Sequence, residues 1–240
     1  MAEGSGSLAC FQPGLRCDLE TSRNDGFSVT IIVKIGGSLT RGAPPRLLLD
    51  RLSGRKGLVL VPGGGALADQ VRVMQPHMGL SDGAAHRMAI LAMEQMAHAF
   101  LDMAPGLLPA RTPAELVSAA ATGTALWLPA AMTLDAPDIP QSWDVTSDSL
   151  ALWLAGRLAA RRLVLVKAPG VAAPRSGDGA ADLATWSAAG LVDAAFATMA
   201  RGYSGDIVLV PADDGALLDR ALAPLAPQSI EESRKGPRPS

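Results

Sequence analysis

Residues 30–39, TIIVKIGGSL, decide the fold, because an apolar run ends there in a lysine and a glycine pair. A run of β-branched residues predicts a buried strand. Lys34 is costly to bury in such a strand unless it meets an anion, and Gly36 and Gly37 let backbone N–H groups approach that anion closely. In the alternative interpretation, the lysine stem reaches water at the sheet edge and the glycines form an ordinary turn. This stretch alone does not decide between the two.

Three other apolar runs end in a charge or in a turn rich in glycine and proline: residues 58–65 (LVLVPGGG), 163–167 (LVLVK) and 207–215 (IVLVPADDG). Apolar runs without alternation are typical of parallel strands that are covered on both faces. Ligands of such sheets bind beyond the carboxyl ends of the strands. Lys34, Lys167 and the glycines at 63–65 are therefore predicted at the ligand-binding edge of one sheet.

Composition narrows the class of protein. The chain has 240 residues, 48% of them hydrophobic, which is enough for one large α/β domain, and its formal charge of −2 gives no electrostatic case for nucleic acid or an anionic membrane. Cys10 and Cys17 supply neither a disulfide framework nor a metal-site spacing. No apolar run reaches the roughly 18 residues of a membrane helix, and the start lacks a signal-peptide pattern. We expect a cytoplasmic protein with no nucleic-acid or membrane partner.

Strand and helix patterns alternate from residue 29 to residue 223, which predicts an α/β fold: a three-layer α/β/α sandwich around a mainly parallel open sheet. Residues 1–28 are predicted to be a flexible extension, and residues 224–240 a disordered tail. The predicted strands are 31–34, 58–61, 125–128, 163–167 and 206–210. The predicted helices are 44–52, 66–74, 82–102, 112–122, one within 144–155, 181–189, 193–200 and 217–222.

The helix predicted over 82–102 carries apolar residues on more than one stripe. It is therefore either deeply buried or part of a subunit interface, and we favour the interface, which predicts a homo-oligomer. His86 lies one turn from the start of this helix, where it is a candidate to meet a polar group of a substrate. A partly exposed helix histidine without such a role is the simpler interpretation.

Residues 144–155 (DVTSDSLALWLA) open a helix whose first turn carries hydroxyls and two carboxylates, with no basic neighbour. Capping by Thr146 or Ser147, with Asp148 favoured by the helix dipole, explains these residues structurally. A functional interpretation is compatible with capping: an acid at this place holds a lysine or orients a metal–phosphate complex.

Several familiar chemistries lack their motifs, since the chain has no G-x-x-x-x-G-K-[ST] loop, no H-E-x-x-H and no G-x-S-x-G. One rival survives: residues 63–68 (GGGALA) satisfy G-x-G-x-x-A after a strand, and Asp82 lies about 20 residues further on, as in dinucleotide-binding folds. That fold explains neither of the strand-end lysines nor the acidic helix start. Phosphoryl transfer uses all of them, because its transition state spreads negative charge over the moving group.

Four motifs in this order resemble the amino-acid kinase superfamily, which includes acetylglutamate, aspartate and uridylate kinases: residues 34–39 (KIGGSL), 62–65 (PGGG), 146–151 (TSDSLA) and 163–167 (LVLVK). Residues 81–93 (SDGAAHRMAILAM) and 143–149 (WDVTSDS) are similar to a smaller branch. Its archaeal and methylotroph members phosphorylate aminomethylfuranmethyl phosphate to the diphosphate for methanofuran-type or methanopterin-linked one-carbon cofactors. The resemblance implies one domain at 29–223, with an acceptor half at 29–140 and a nucleotide half at 141–223.

The resemblance also implies roles for individual residues. ATP is the co-substrate, Mg²⁺ arrives through ATP rather than on protein ligands, and the acceptor is a small carboxylate or phosphate. The implied catalytic residues are Lys34, Asp148 and Lys167, with Asp148 positioning the lysines. Phosphate and ATP binding is implied for Gly36, Gly37, Ser38, Lys167 and Gly170. Acceptor binding is implied for Gly63, Gly64, Gly65, His86, Asp144 and Thr146, with Asp144 or Asp148 a candidate to meet the substrate ammonium.

Two features depart from the superfamily pattern. The turn after Lys167 reads APGV at residues 168–171 where an Asp-containing turn is usual, and the nucleotide half offers Tyr203, Asp213 and Asp214 but no late lysine. Two alternatives therefore stay open. One is a kinase of another small acceptor, such as an amino acid or a nucleoside monophosphate. The other is a non-catalytic protein that binds a nucleotide or an oxyanion on the same fold.

Overall fold

The computed structural model describes residues 29–37, 39, 45–171 and 180–225. Its centre is a six-stranded sheet in the order β3-β4-β2-β1-β5-β6, in which every neighbouring pair is parallel. The strands are Ile31–Ile35 (β1), Leu58–Pro62 (β2), Leu107–Ala110 (β3), Thr124–Trp127 (β4), Arg162–Lys167 (β5) and Asp206–Pro211 (β6). The predicted α/β class with a parallel sheet is confirmed.

The helices flank this sheet on both sides. They are Arg46–Leu52 (α1), Gly65–Met78 (α2), Asp82–Met103 (α3), Pro113–Thr122 (α4), Ala130–Thr133 (α5), Ser147–Arg157 (α6), Ala180–Ala188 (α7), Phe196–Met199 (α8) and Gly215–Ala221 (α9). Successive residues of a strand point to opposite faces, and Ile32 and Val33 of β1 accordingly belong to different hydrophobic clusters. The Ile32 cluster includes residues of α4 and α6, whereas the Val33 cluster includes residues of α1 and α9. Both faces are therefore covered, which confirms the three-layer sandwich.

Strand β3 was missed by the sequence analysis. It is four residues long, contains Pro109 and forms one edge of the sheet beside β4. Proline has no N–H to donate to a ladder, so it is confined to edge strands, and so short a run carries no clear period. The short helix α5 was missed for the same reason of length, inside the connection that follows β4.

The helix predicted over 193–200 is wrong in extent, because α8 spans only Phe196–Met199 before a 3₁₀ turn at Ala200–Gly202. Asp193 lies outside the helix, and its side chain serves another element, as described below. Helix α2 is longer than predicted and continues through Pro76 to a left-handed Gly79 with φ of 63°. Glycine adopts that backbone conformation without steric cost, which is why it ends the helix there.

Helix α3 buries much of its apolar surface within one chain. Its buried residues include Ile90, Met93 and Phe100, while Leu91 is 43% exposed. The predicted subunit interface on this helix stays a prediction. In the described part of the chain no helix is long and apolar enough to cross a membrane. The predicted extension at 1–28 and the predicted tail from residue 226 lie outside the described residues.

Candidate active site

The candidate site is organised by the central strand β1, which lies between β2 and β5. Ile35 at its end is in register with both Pro62 of β2 and Val166 of β5. Because the three strands are parallel, the segments that follow them meet at one edge of the sheet. This register brings Lys34, Lys167 and the glycine turn after β2 to that edge, as the sequence analysis expected.

Lys34, Asp148 and Lys167 form one cluster, which we call the lysine cluster. The Nζ of Lys34 lies 2.9 Å from Oδ1 of Asp148, and the Nζ of Lys167 lies 2.8 Å from each Asp148 oxygen. Lys34 is 4% exposed and Asp148 is 6% exposed. Asp148 reaches the lysines from the first turn of α6, so three distant parts of the sequence meet here.

The charges of the lysine cluster do not cancel. Burial alone would raise the pKa of Asp148, but the ammonium groups of Lys34 and Lys167 outweigh it and hold that pKa below its ordinary value. Burial, assisted by repulsion from Lys34, lowers the pKa of Lys167 to about 8. Two ammonium groups and one carboxylate leave one surplus positive charge at neutral pH. A buried surplus of this sign favours an anion such as a phosphate.

Asp193, which the sequence analysis did not identify as part of the site, is hydrogen-bonded to the start of α6, the helix turn that carries Asp148. Oδ2 of Asp193 accepts hydrogen bonds from Thr146 N at 2.8 Å, Thr146 Oγ1 at 2.9 Å and Ser149 N at 3.0 Å, and Oδ1 accepts from Ser149 Oγ. Thr146 is the N-cap residue of α6 but makes no side-chain capping bond of its own. The expected capping by Thr146 or Ser147 is therefore wrong, because a distant carboxylate satisfies the helix start instead.

The turns after β1 and β2 touch backbone to backbone. A Cβ added at Gly37 would lie 2.5 Å from Gly65 N, and one added at Gly63 would lie 2.5 Å from Gly37 N. The N–H of Gly63 donates to Ile35 O at 2.9 Å, and the N–H of Gly36 also donates within the sheet. These glycines thus supply close approach between two turns, and two of their N–H groups are engaged by the sheet itself.

A cavity opens beside the glycine turns, between α2 and α3. We call it the α2–α3 cavity. Its lining includes Gly37, Gly64, Gly65, His86 and Thr146, all of them named by the sequence analysis. The cavity lies between the glycine triplet and the start of α3, where the sequence analysis expected the acceptor.

The other predicted residues lie elsewhere. Gly36 and Gly63 are buried within the turns after β1 and β2. Asp144 is exposed and is not among the residues that line the α2–α3 cavity. Gly170 follows β5 with φ of 75°, and no atom lies within 4 Å of a Cβ added there. Ser38 lies outside the described residues.

His86 is more buried than the sequence analysis predicted. It is 6% exposed, so the expectation of a partly exposed helix histidine is wrong. Burial lowers the pKa of His86 below its ordinary value, which leaves the imidazole neutral at pH 7. The side chain therefore offers the cavity one hydrogen-bond donor and one acceptor rather than a charge.

The lining residues that were missed include Asp69 and Arg72 of α2, and Trp143. The Arg72 guanidinium lies 4.4 Å from the centroid of the Trp143 ring. Trp143 Nε1 donates to Gln75 Oε1, so two residues of α2 hold the indole. The signal available in the sequence was the three-residue spacing of Asp69 and Arg72, which places both on one face of a helix that begins at the glycine triplet.

Two of the polar residues that were noted late in the chain, Tyr203 and Asp214, have structural partners. Tyr203 donates its hydroxyl to Ala160 O at 2.8 Å, and Asp214 caps α9 by accepting from Leu217 N at 2.8 Å. In the described ranges no group of three His, Cys, Asp or Glu side chains is arranged to hold a metal ion.

The chain is similar in sequence to a known kinase and in fold to solved structures. No family model matches the chain. Over 144 residues, 56% of the chain, it is 33% identical to the [5-(aminomethyl)furan-3-yl]methyl phosphate kinase of Methanocaldococcus jannaschii, and the match spans 63% of that protein. The uridylate kinase of Archaeoglobus fulgidus superposes with a TM-score of 0.54 at 14% identity, covering 76% of this chain and 90% of the other. The aspartate kinase of Synechocystis superposes with a TM-score of 0.53 at 14% identity, covering 76% of this chain and 38% of the other.

The two kinds of likeness agree with the resemblance that the sequence motifs indicated. The sequence match supports the furan phosphate kinase branch, and the structural matches, at their low identity, concern the fold. The chain has the amino-acid kinase fold, which it shares with uridylate and aspartate kinases.

Proposed function

We propose that this protein is an ATP-dependent kinase that transfers the γ-phosphoryl group to the phosphate of an aminomethylfuranmethyl phosphate. The lysine cluster carries this proposal, because it places surplus positive charge beside glycine turns at the ligand-binding edge of a parallel sheet. The similarity to the Methanocaldococcus jannaschii kinase supports the choice of acceptor. The reaction would serve the biosynthesis of a one-carbon carrier cofactor.

The reaction needs no covalent intermediate on the protein. An oxygen of the acceptor phosphate attacks the γ-phosphorus of ATP while the bond from that phosphorus to the β–γ bridging oxygen breaks. The electron pair of that bond leaves with ADP, and the product is a diphosphate. Mg²⁺ bound to ATP supplies further neutralisation of the phosphate charges.

The chain's own residues stabilise the charge that develops during transfer. The ammonium groups of Lys34 and Lys167 meet the phosphoryl oxygens, and Asp148 holds both groups in place before any substrate arrives. Fixed charges in a buried site need no reorganisation during the reaction, which makes them effective. The glycine turns admit phosphates closely enough to reach these groups.

The two halves of the chain divide the substrates. The acceptor occupies the α2–α3 cavity in the acceptor half, and ATP lies over the end of β5 near Lys167 and Gly170 in the nucleotide half. We place the enzyme in the cytoplasm as a homo-oligomer that associates through α3. Leu91, which is 43% exposed on that helix, belongs to this proposed interface.

The direct test is ADP release from Mg-ATP with purified protein. The acceptor panel contains [5-(aminomethyl)furan-3-yl]methyl phosphate, uridylate, acetylglutamate and aspartate, and ³¹P NMR identifies the product. We expect turnover on the furan phosphate and a loss of at least about a hundredfold in Lys34→Ala. Lys56→Ala, which removes an exposed lysine, is the matched control and should retain activity.

Other results would redirect the assignment. Turnover on a different acceptor keeps the kinase and replaces the substrate. Saturable ATP binding without turnover on any acceptor favours a nucleotide-binding protein without catalysis. Nicotinamide binding that is indifferent to Lys34→Ala favours the dinucleotide interpretation of the glycine triplet.

A further inference from the structure

The described residues that line the α2–α3 cavity include one carboxylate, that of Asp69, and one guanidinium, that of Arg72, and both are on α2. Asp69 and Arg72 are three residues apart, so they share one helix face. The rest of the lining is neutral, with His86 held uncharged by its burial. A cavity with one charge of each sign fits a small molecule whose own charged groups are separated in space.

The place of Asp69 along α2 gives it a defined distance from the reacting end. Helix α2 begins at Gly65, in the glycine turn that would receive the acceptor phosphate. An α-helix rises 1.5 Å per residue, so Asp69 lies about 6 Å along the axis from Gly65 and Arg72 lies about 10 Å along it. The carboxylate is therefore displaced from the phosphate end by a length comparable to a five-membered ring with its substituents.

Arg72 and its neighbours define the far wall of the cavity. The guanidinium stacks on Trp143, and the indole is tied back to α2 through Gln75. Gln75 in turn donates from Nε2 to Asp82 Oδ1 at 2.8 Å, which connects the wall to the start of α3. The guanidinium of Arg72 would repel a cationic group of the acceptor at this wall. A cationic group in the cavity is therefore favoured at the carboxylate of Asp69.

We propose that Asp69 binds the ammonium group of the acceptor and so selects an aminomethyl-bearing phosphate. This inference rests on the proposed function. It assigns to Asp69 the contact for which the sequence suggested Asp144 or Asp148. Asp144 is exposed, and neither Asp144 nor Asp148 is among the residues that line the cavity. Trp143 is placed to pack against the ring between the two charged groups.

The test pairs a protein variant with a substrate variant. Initial rates are measured for the wild-type chain and Asp69→Asn with two acceptors, the aminomethylfuran phosphate and an analogue in which methyl replaces aminomethyl. We expect Asp69→Asn to lower kcat/KM for the ammonium-bearing acceptor by about 10- to 100-fold, mainly through KM. The same variant should change kcat/KM for the methyl analogue by less than about threefold.

Two further variants control this experiment. Asp102→Asn removes an exposed carboxylate of α3 and should affect neither acceptor, while Asp144→Asn tests the residue first suggested by the sequence. A selective loss in Asp144→Asn but not in Asp69→Asn would overturn the assignment, as would an equal loss on both acceptors in Asp69→Asn. Absence of wild-type turnover on both acceptors would instead refute the proposed function, and this inference with it.

Discussion

The lysine cluster and the α2–α3 cavity lie at the same edge of the sheet but are built in opposite ways. In the cluster every charge is paired with an opposite charge, and its three residues come from positions 34, 148 and 167. The cavity is open, and its two charged residues are near neighbours on one helix. The cluster is therefore organised before substrate arrives, whereas the contacts of the open cavity form only when an acceptor enters. Changes in the first should affect the rate of transfer, and changes in the second the choice of acceptor.

Asp148→Asn should have the largest effect. The substitution leaves the ammonium groups of Lys34 and Lys167 without the carboxylate that they share, and removing one partner of a buried charge network costs about 3–5 kcal/mol. We expect the free energy of unfolding to fall by that order in urea titrations. ADP release should fall by at least about a hundredfold, because the lysines lose their fixed positions.

A surface pair provides the control for Asp148→Asn. Asp138 pairs with Arg157 at 3.0 Å, and both side chains are at least 40% exposed. Asp138→Asn should cost less than about 1 kcal/mol, since exposed ion pairs contribute little. Equal losses in the two variants would remove the distinction between a buried, organised cluster and ordinary surface charge.

Sequence reasoning succeeded where one stretch carries the whole signal. Lys34 and Lys167 each end an unbroken apolar run, and a charge at such a place has few explanations. Strand order was not needed to place them, because parallel strands always end at one edge. Sequence reasoning failed where tertiary packing decides which residues meet. Asp193 caps a helix whose start lies 47 residues earlier, and Trp143 lines the cavity only because α2 holds it.

Gly37→Ala should have the second largest effect. It tests whether the lysine cluster and the α2–α3 cavity both depend on the contact between the turns after β1 and β2. Its added Cβ would lie 2.5 Å from Gly65 N, so the turns after β1 and β2 must separate. Forcing atoms into packed structure costs about 1–3 kcal/mol. Because both glycine turns move, we expect kcat to fall and KM for the acceptor to rise together in steady-state assays.

Gly156→Ala is the matched substitution for Gly37→Ala. Gly156 lies within α6, and no atom lies within 4 Å of its added Cβ. Alanine in a helix is favoured over glycine, so this variant should gain about 0.5–1 kcal/mol of stability and keep its activity. A harmless Gly37→Ala would mean that close contact of the two turns is not required.

Asp193→Asn should have the smallest effect on activity. The pH dependence of kcat/KM in this variant shows whether Asp193 only caps a helix or also acts on Lys167. Losing a cap costs about 0.5–2 kcal/mol. The Asp193 charge also raises the pKa of Lys167, which burial lowers to about 8. Deprotonation of Lys167 removes a positive charge from the site, so kcat/KM should decline above pH 8 in the wild-type chain. In the variant the pKa of Lys167 falls further, and the decline should begin at lower pH.

Asp214→Asn removes a cap of the same kind from α9, where Asp214 accepts from Leu217 N at 2.8 Å. It should lower stability by a similar amount without moving the pH profile, because its charge does not act on Lys167. A profile for Asp193→Asn that is lower at every pH but unshifted would reduce Asp193 to a helix cap. If the pH profile of kcat/KM shifts toward acid only in Asp193→Asn, the Asp193 carboxylate contributes to the electrostatics of the lysine cluster. It then acts on the lysines from the start of α6, which it holds by hydrogen bonds.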